Sequence, residues 1–479
     1  MPSAKSVAII GAGPGGLAAA KYLVAEKTFT RIIVFDARHS VGGVWCATPD
    51  IIVDKSFTLP RTSPAIEPNE AVRQDGSVKI VSPVYDLLET NIPHTLMNYS
   101  DQDFPRGTPL FPPHRTVREY LKNYADDIQD LLCLGTQVQA IEYIQDSGRW
   151  AVSSTNLESR RNSTEHFDAV IVASGHYDDP YVPNIPGLKV WDAIYPGSIS
   201  HSKFYRRPSE FTGKKVIIVG HSASGIDLAN QIATVSQQPV IISEKNVSSV
   251  PIEADGLKLA LPEIQEFLPE KRTVRFTNGH VETNVDRIVF CTGYMYSYPF
   301  LRSLAQAIVS DGSRVQNLYQ HIFYHPIPTL SFVGLPQRIV PMPVSEAQSA
   351  VIARVLSGRL SLPTQAEMQS WEEDLIAERG DGKNFHTLKF PLDVTYMNDL
   401  HDWSISALTR DGLTAHDQGK IPPYWGAEKR WVRERILLIK QASSKLGAKR
   451  SEITSLAELG FDFDEEKNGM ASDAKLGAE

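Results

Sequence analysis

Val, Ile and Phe crowd into short runs along the chain: SVAII (6–10), RIIVF (31–35), AVIV (169–172), VIIV (216–219), VIIS (240–243) and RIVF (287–290). The runs are continuously apolar rather than alternating, the pattern of parallel strands covered on both faces. Two are followed by a small-residue turn and a segment of helical period, LAAAKYLVAE after the first and ASGIDLANQIA after the fourth. This predicts an α/β fold built from strand–turn–helix units. QVQAIEYIQ and RWAVSST read as the two strands of a hairpin. Residues 50–118 are rich in Pro, Asn and Thr, lack helical period and predict a cap of loops. YDDPYVPNIPGL reads as a hinge. Ser345-x-x-Gln348 predicts a capping box that starts a helix near Ser345, whose N-terminus would favour negative charge. EKRWVRERILLIKQASSKLG reads as one amphipathic, structural helix, and Trp371, Trp403, Trp425 and Trp431 as packing.

Composition narrows the class. The 479 residues allow two or three domains, and a hydrophobic fraction of 42% with 22% charged residues is ordinary for a soluble protein. A net charge of −8 without a Lys/Arg block argues against nucleic acid or an anionic membrane as partner. The three cysteines, Cys46, Cys133 and Cys291, form no C-x-x-C, so neither a disulfide framework nor a metal site is expected. No run of 18 apolar residues predicts a membrane span. The first strand starts too early for a signal peptide, so a cytoplasmic location is expected. A dimer is compatible with the sequence.

The chemistry lies in the two turns. Gly11, Gly13 and Gly16 have G-x-G-x-x-G spacing between a strand and a helix, with Gly15 beside them. Such glycines let a pyrophosphate approach the helix N-terminus. The next strand ends at Asp36, about 20 residues on, where an acid hydrogen-bonds a ribose 2′-OH and repels a 2′-phosphate. The first cradle therefore suits FAD or NAD. In the second, Gly220 and Gly225 hold the outer positions and Ser222 the middle one, followed by Ala223 and Ser224. The same offset reaches Lys245, after Ser243, and a cation there favours the 2′-phosphate of NADPH. The adjacent Glu244 opposes that reading, and Lys245 also reads as a solvated strand end.

FDAVIVASG and VDRIVFCTG repeat one pattern, each a strand that returns small residues to its own nucleotide unit. The second unit closes over a short distance and is nested in the first. The expected division is 1–186 for the first part of an FAD domain, 187–298 for an NADPH domain, 299–464 for the second part of the FAD domain with C-terminal helices, and a flexible tail at 465–479. One dinucleotide stays and the other visits, the plan of a flavin reductase core.

Between the cradles, YPGSISHSKF resembles the F-x-G-x-x-x-H-x-x-x-[FY] motif of the flavin-containing monooxygenases through Gly197, His201 and Phe204, with Tyr195 replacing the leading Phe. VGGVW (41–45), ETNIPHTLM (89–97), ASGHY, CTGY, PFL, FVGLP and Glu346-x-Gln348 follow in that family's order. The resemblance spans about residues 5–360 and points to the soluble fungal or yeast-like members. Asp36 stands where the family mostly has Glu, and His221 where Asn is common. The resemblance implies that NADPH reduces FAD, that molecular oxygen adds at flavin C4a to give a hydroperoxide, and that one oxygen atom passes to a small thiol, sulfide or amine. It implies Asn91 as the residue nearest this chemistry. FAD contacts are expected from Gly11, Gly13, Gly15, Gly16, Asp36, Ala37, Arg38, Gly43, Val44, Trp45, Asn91, Val138, Ser174, Gly175 and Gln348. NADPH contacts are expected from His201, Ser202, Gly220, Ser222, Ala223, Ser224, Gly225, Ser243, Lys245, Cys291, Thr292, Gly293 and Tyr294. No metal ligand is expected. A Baeyer–Villiger monooxygenase would share both cradles, but Phe204-Tyr205 departs from its linker motif. An uncoupled oxidase or redox sensor is the further alternative.

Overall fold

The computed structural model describes residues 3–48, 57–68, 72–74, 77–245 and 256–464. Part of the expected loop cap and the whole expected tail lie outside them.

The strand Ser6–Ile10 sits inside a seven-stranded sheet, with Arg31–Phe35 parallel on one side and Ala169–Val172 parallel on the other. Leu330–Phe332 adds beyond Ala169–Val172, so this sheet draws strands from both sides of the second unit. Val7, Ile9, Ala169 and Ile171 face one hydrophobic core, and Ala8, Ile10, Val170 and Val172 face another. This two-sided burial is why the runs are continuous rather than alternating. Each such Val or Ile contributes about 1.5–3 kcal/mol. On one face the helix Pro14–Ala25 packs against Pro341–Leu356, whose residues are buried almost end to end.

The second sheet has five strands, with Lys215–Val219 between Arg287–Phe290 and Gln237–Ser243, all parallel. Ile217, Ile241 and Ile288 enter one core and Val216, Ile218 and Val289 the other. The FDAVIVASG and VDRIVFCTG repeats are thus the strands next to the two cradle strands. Thr136–Ile144 and Arg149–Asn156 form the hairpin, extended by Asn162–Phe167.

Three local expectations change. The helix expected at Ser345 starts at Pro341, because proline suits the first helical position, and the Ser345 hydroxyl donates back to the Pro341 carbonyl at 2.7 Å instead of capping. The amphipathic C-terminal stretch is two helices, Ala427–Glu434 and Ile436–Lys445, joined at Arg435, whose ψ of 4° breaks the helical run. The cap contains the short helix His94–Met97 and the start of His114–Tyr124, each preceded by a proline.

Candidate active site

Both cradles are closed by contacts too tight for a side chain. Gly11 has φ +111°, and a Cβ there would lie 2.5 Å from the Ala173 carbonyl oxygen. Gly220 has φ +100°, and its Cβ would lie 2.7 Å from the Cys291 carbonyl oxygen. Each first glycine therefore rests on the small residue that ends the neighbouring strand. The third glycines bring helix and turn together: a Cβ at Gly16 would sit 1.8 Å from Gly11 O, and one at Gly225 2.0 Å from Gly220 O.

At the first cradle, Asp36 is buried, and its carboxylate accepts from the backbone N–H groups of Ala12 and Arg38, both at 2.8 Å. Ala37 and Arg38 continue from it, half-buried. The Thr136 N–H donates to the Asp36 carbonyl at 2.8 Å, and Val138, two residues on, is buried in the adjoining hydrophobic core. Gly43, Val44 and Trp45 form a 3-10 turn over the cradle: the Gly42 N–H donates to Ala12 O at 2.9 Å, and Gly43 abuts Gly13. Ser174 and Gly175 are exposed beside Gly11. Arg38 and Arg118 flank Cys46, whose thiol is pushed up by burial, and the Nε atoms of both arginines are buried without a partner. A narrow backbone cradle, a helix N-terminus and two buried, unpartnered guanidinium Nε atoms fit the pyrophosphate of a dinucleotide.

Gln348 does not offer its amide outward. It is fully buried, accepts from the Gly334 N–H at 2.8 Å and donates to the Tyr396 hydroxyl at 2.9 Å. It thereby fixes the FVGLP turn, whose Val333 packs on Gly15. Asn91 is exposed on the turn leading into His94–Met97, which packs on Pro341–Leu356.

At the second cradle, Ser222, Ala223 and Ser224 are exposed at the N-terminal end of the helix Ala223–Ala233. Arg338, which the sequence reading missed, reaches this end from the segment after FVGLP: its Nη2 lies 3.4 Å from Ser222 Oγ. It has φ +65°, and its carbonyl accepts from Arg433 at 2.7 Å. Residues 333–338 thus touch both cradles.

Several expected NADPH contacts face inward instead. His201 is fully buried: Nε2–H donates to the Gly293 carbonyl at 3.1 Å, and Nδ1 accepts from the Lys203 N–H at 3.1 Å. Burial holds this imidazole down at about 3, so it is neutral and fixes the Cys291–Tyr294 turn rather than reaching the cradle. Ser202 is buried near the Tyr294 and Cys291 side chains, and burial pushes the Cys291 thiol up to about 12. Thr292 donates to the Tyr181 carbonyl. Ser243 donates to the Pro262 carbonyl at 3.0 Å.

The Lys245 placement is also corrected. The Gly11 N–H donates to Phe35 O at 2.7 Å, and the Gly220 N–H donates to Ser243 O at 2.8 Å. The counterpart of Asp36 is therefore Glu244, because the second unit reaches its strand end one residue sooner. The Lys245 side chain is 84% exposed, 3.9 Å from Glu263. Counting from the strand end rather than from the last glycine would have found Glu244. Arg338 carries no sequence signal of its own.

Among the described residues no His/Cys/Asp/Glu group could hold a metal ion, and no helix is long and apolar enough to cross a membrane.

The sequence matches the Flavin-binding monooxygenase-like family over residues 72–253 and 256–407, and an NAD(P)-binding Rossmann-like domain over 9–69. It is 35% identical to flavin-containing monooxygenase FMO GS-OX-like 4 of Arabidopsis thaliana, over 76% of this chain and 78% of that one. It is 30% identical to flavin-containing monooxygenase ustF2 of Aspergillus flavus, over 91% and 98%. The structure is similar to that of S-allyl-L-cysteine S-oxygenase from Allium sativum, with a TM-score of 0.75 and 30% identity, covering 95% of this chain and 96% of that one. FAD and NADPH are the cofactors of such enzymes. With two cradles of matching construction and relatives matched nearly end to end, the chain belongs to the flavin-containing monooxygenase family.

Proposed function

We propose that this chain is an FAD-dependent, NADPH-oxidising monooxygenase that transfers one oxygen atom to a soft nucleophile, with a small organosulfur compound as the first candidate and an amine as the second. The observation that carries the reading is the pair of cradles bridged by residues 333–338: one anchored by Asp36, the other open at Ser222–Ser224. The likeness to an S-allyl-L-cysteine S-oxygenase over nearly the whole chain favours sulfur.

Bound flavin, once reduced, supplies the activation of dioxygen; the protein contributes binding, orientation and water exclusion. Gly11–Gly16 receive the FAD pyrophosphate, and Asp36 takes the adenosine ribose. Gly42 and Gly43 close over that end. The exposed backbone at Ser222–Ser224 receives the pyrophosphate of the nicotinamide coenzyme, and Arg338 adds a cation from the opposite unit. His201, Ser202 and Gln348 act as positioning residues that hold the turns at 291–294 and 333–335. Asn91, on an exposed turn, is the candidate hydrogen-bond partner for the reacting end of the cofactors. No paired-carboxylate or Ser/His/Asp machinery is required, since the transferred oxygen comes from the cofactor's chemistry.

The test is to reduce the purified flavoprotein with NADPH anaerobically, admit oxygen, and offer sulfides, thiols, amines and ketones in turn. Oxygenated sulfur or nitrogen product supports the reading. Ester from ketones alone would replace it with a Baeyer–Villiger activity, and peroxide with every compound would replace it with an oxidase.

A further inference from the structure

We propose that Glu244 is the coenzyme-selecting residue of the second cradle, and that with His221 it forms a ribose seat that admits NADH alongside NADPH. This rests on the reading of the second cradle as the nicotinamide coenzyme site.

The two cradles can be compared residue by residue through their backbone hydrogen bonds. Gly11 bonds to Phe35 O and Gly220 to Ser243 O, so the strand-end acids are Asp36 and Glu244. The residue after each first glycine then binds its acid. In the first cradle the Ala12 N–H donates to Asp36 at 2.8 Å. In the second, His221 Nδ1 lies 3.2 Å from Glu244 Oε2. Glutamate is one methylene longer than aspartate, and an imidazole takes the place of the backbone N–H, so the same link is rebuilt from side chains. Both side chains are sheltered, 8% exposed for His221 and 10% for Glu244.

A carboxylate at this strand end accepts from a ribose 2′-OH, whereas a 2′-phosphate is served by a cation. The cations stand outside this seat. Lys245 is largely exposed beside Glu263, and Lys383, over the Tyr181 ring, is near enough to feel the Lys245 charge. A ribose diol therefore meets Glu244 directly, while a 2′-phosphate must turn outward to the lysines and away from the acid. That arrangement flattens the preference for NADPH.

The experiment uses the flavin-loaded full chain. Equilibrium binding of NADP⁺ and of NAD⁺ is measured by calorimetry, and anaerobic flavin reduction by NADPH and NADH is followed alongside. Wild type, Glu244→Gln and Lys245→Gln are compared after flavin content and melting temperature confirm folding. The expected result is NAD⁺ binding within about tenfold of NADP⁺ in the wild type. Glu244→Gln then shifts the ratio about tenfold or more toward NADP⁺, and Lys245→Gln shifts it the other way. Binding of NADP⁺ alone by the wild type, or a ratio unmoved by Glu244→Gln, overturns the proposal and leaves the cradle's assignment standing. Failure of both nucleotides to bind overturns the assignment and the proposal with it.

Discussion

The Glu346 carboxylate accepts two hydrogen bonds from Ser100, from its backbone N–H at 2.8 Å and its hydroxyl at 2.7 Å. This ties the helix beside the first cradle to the chain segment that follows the Thr-Asn-x-Pro turn. Glu346 is fully buried, and desolvation raises its carboxyl to about 7, partly offset by Ser100 and by Lys420 at 3.8 Å. A carboxyl raised in the folded state adds stability that is complete below its unfolded pKa and is lost as pH climbs toward 7. Wild type should therefore lose about 2 kcal/mol relative to Glu346→Gln between pH 5.5 and 8.5. Urea unfolding of the two proteins at both pH values measures this, and a constant difference would refute it.

Buried histidines act in the opposite direction. Burial lowers His201 and His321 to about 3 and His176 to about 4, and His386, 3.0 Å from His321, is also lowered by burial. A base lowered in the fold adds stability that is present above about 6.5 and is lost as pH falls toward its folded value. At pH 5, His201 and His321 should each subtract about 2 kcal/mol. The expected outcome is a melting temperature that drops steeply from pH 6.5 to 5, with a shallower slope in His201→Asn.

The third glycines separate the two sites. A Cβ at Gly16 would lie 1.8 Å from Gly11 O, and one at Gly225 2.0 Å from Gly220 O. Neither contact is relieved without moving backbone. Gly16→Ala should yield protein that loses its flavin on gel filtration. Gly225→Ala should keep the flavin, read at its visible absorbance, while binding NADP⁺ at least about tenfold more weakly.

Arg338 gives a narrower result. Its Nη2 is 3.4 Å from Ser222 Oγ at the exposed end of the second helix. Removing one charge-assisted contact costs about 1.5–3 kcal/mol. Arg338→Ala should weaken NADP⁺ by about tenfold or more in a calorimetric titration, with flavin content unchanged and with a flatter dependence of affinity on salt.

The parts legible in the sequence were those where one residue decides the backbone. Gly11 and Gly220 are glycine because of their positive φ, and the continuous apolar runs identified strands covered on both faces. What the sequence does not carry is decided by what lies opposite. Ser345-x-x-Gln348 has the spacing of a cap, yet Pro341 had already started the helix. His201 belongs to a recognisable motif, but whether its ring points at a cofactor or at Gly293 is set by packing. An offset counted from Gly225 points to Lys245 and assumes equal strand lengths, whereas hydrogen-bond register makes Glu244 the counterpart of Asp36. Arg338 meets Ser222 across 116 residues of sequence, a relationship visible only once the chain is folded.

The most direct measurement supplies the flavin-loaded protein with NADPH, ¹⁸O₂ and a small alkyl cysteine sulfide, and counts product against coenzyme. The account predicts a sulfoxide carrying one ¹⁸O atom, formed in near-equal amount to the NADPH consumed, with little peroxide. NADPH consumption matched by hydrogen peroxide, with no labelled product from any sulfide or amine, would contradict it.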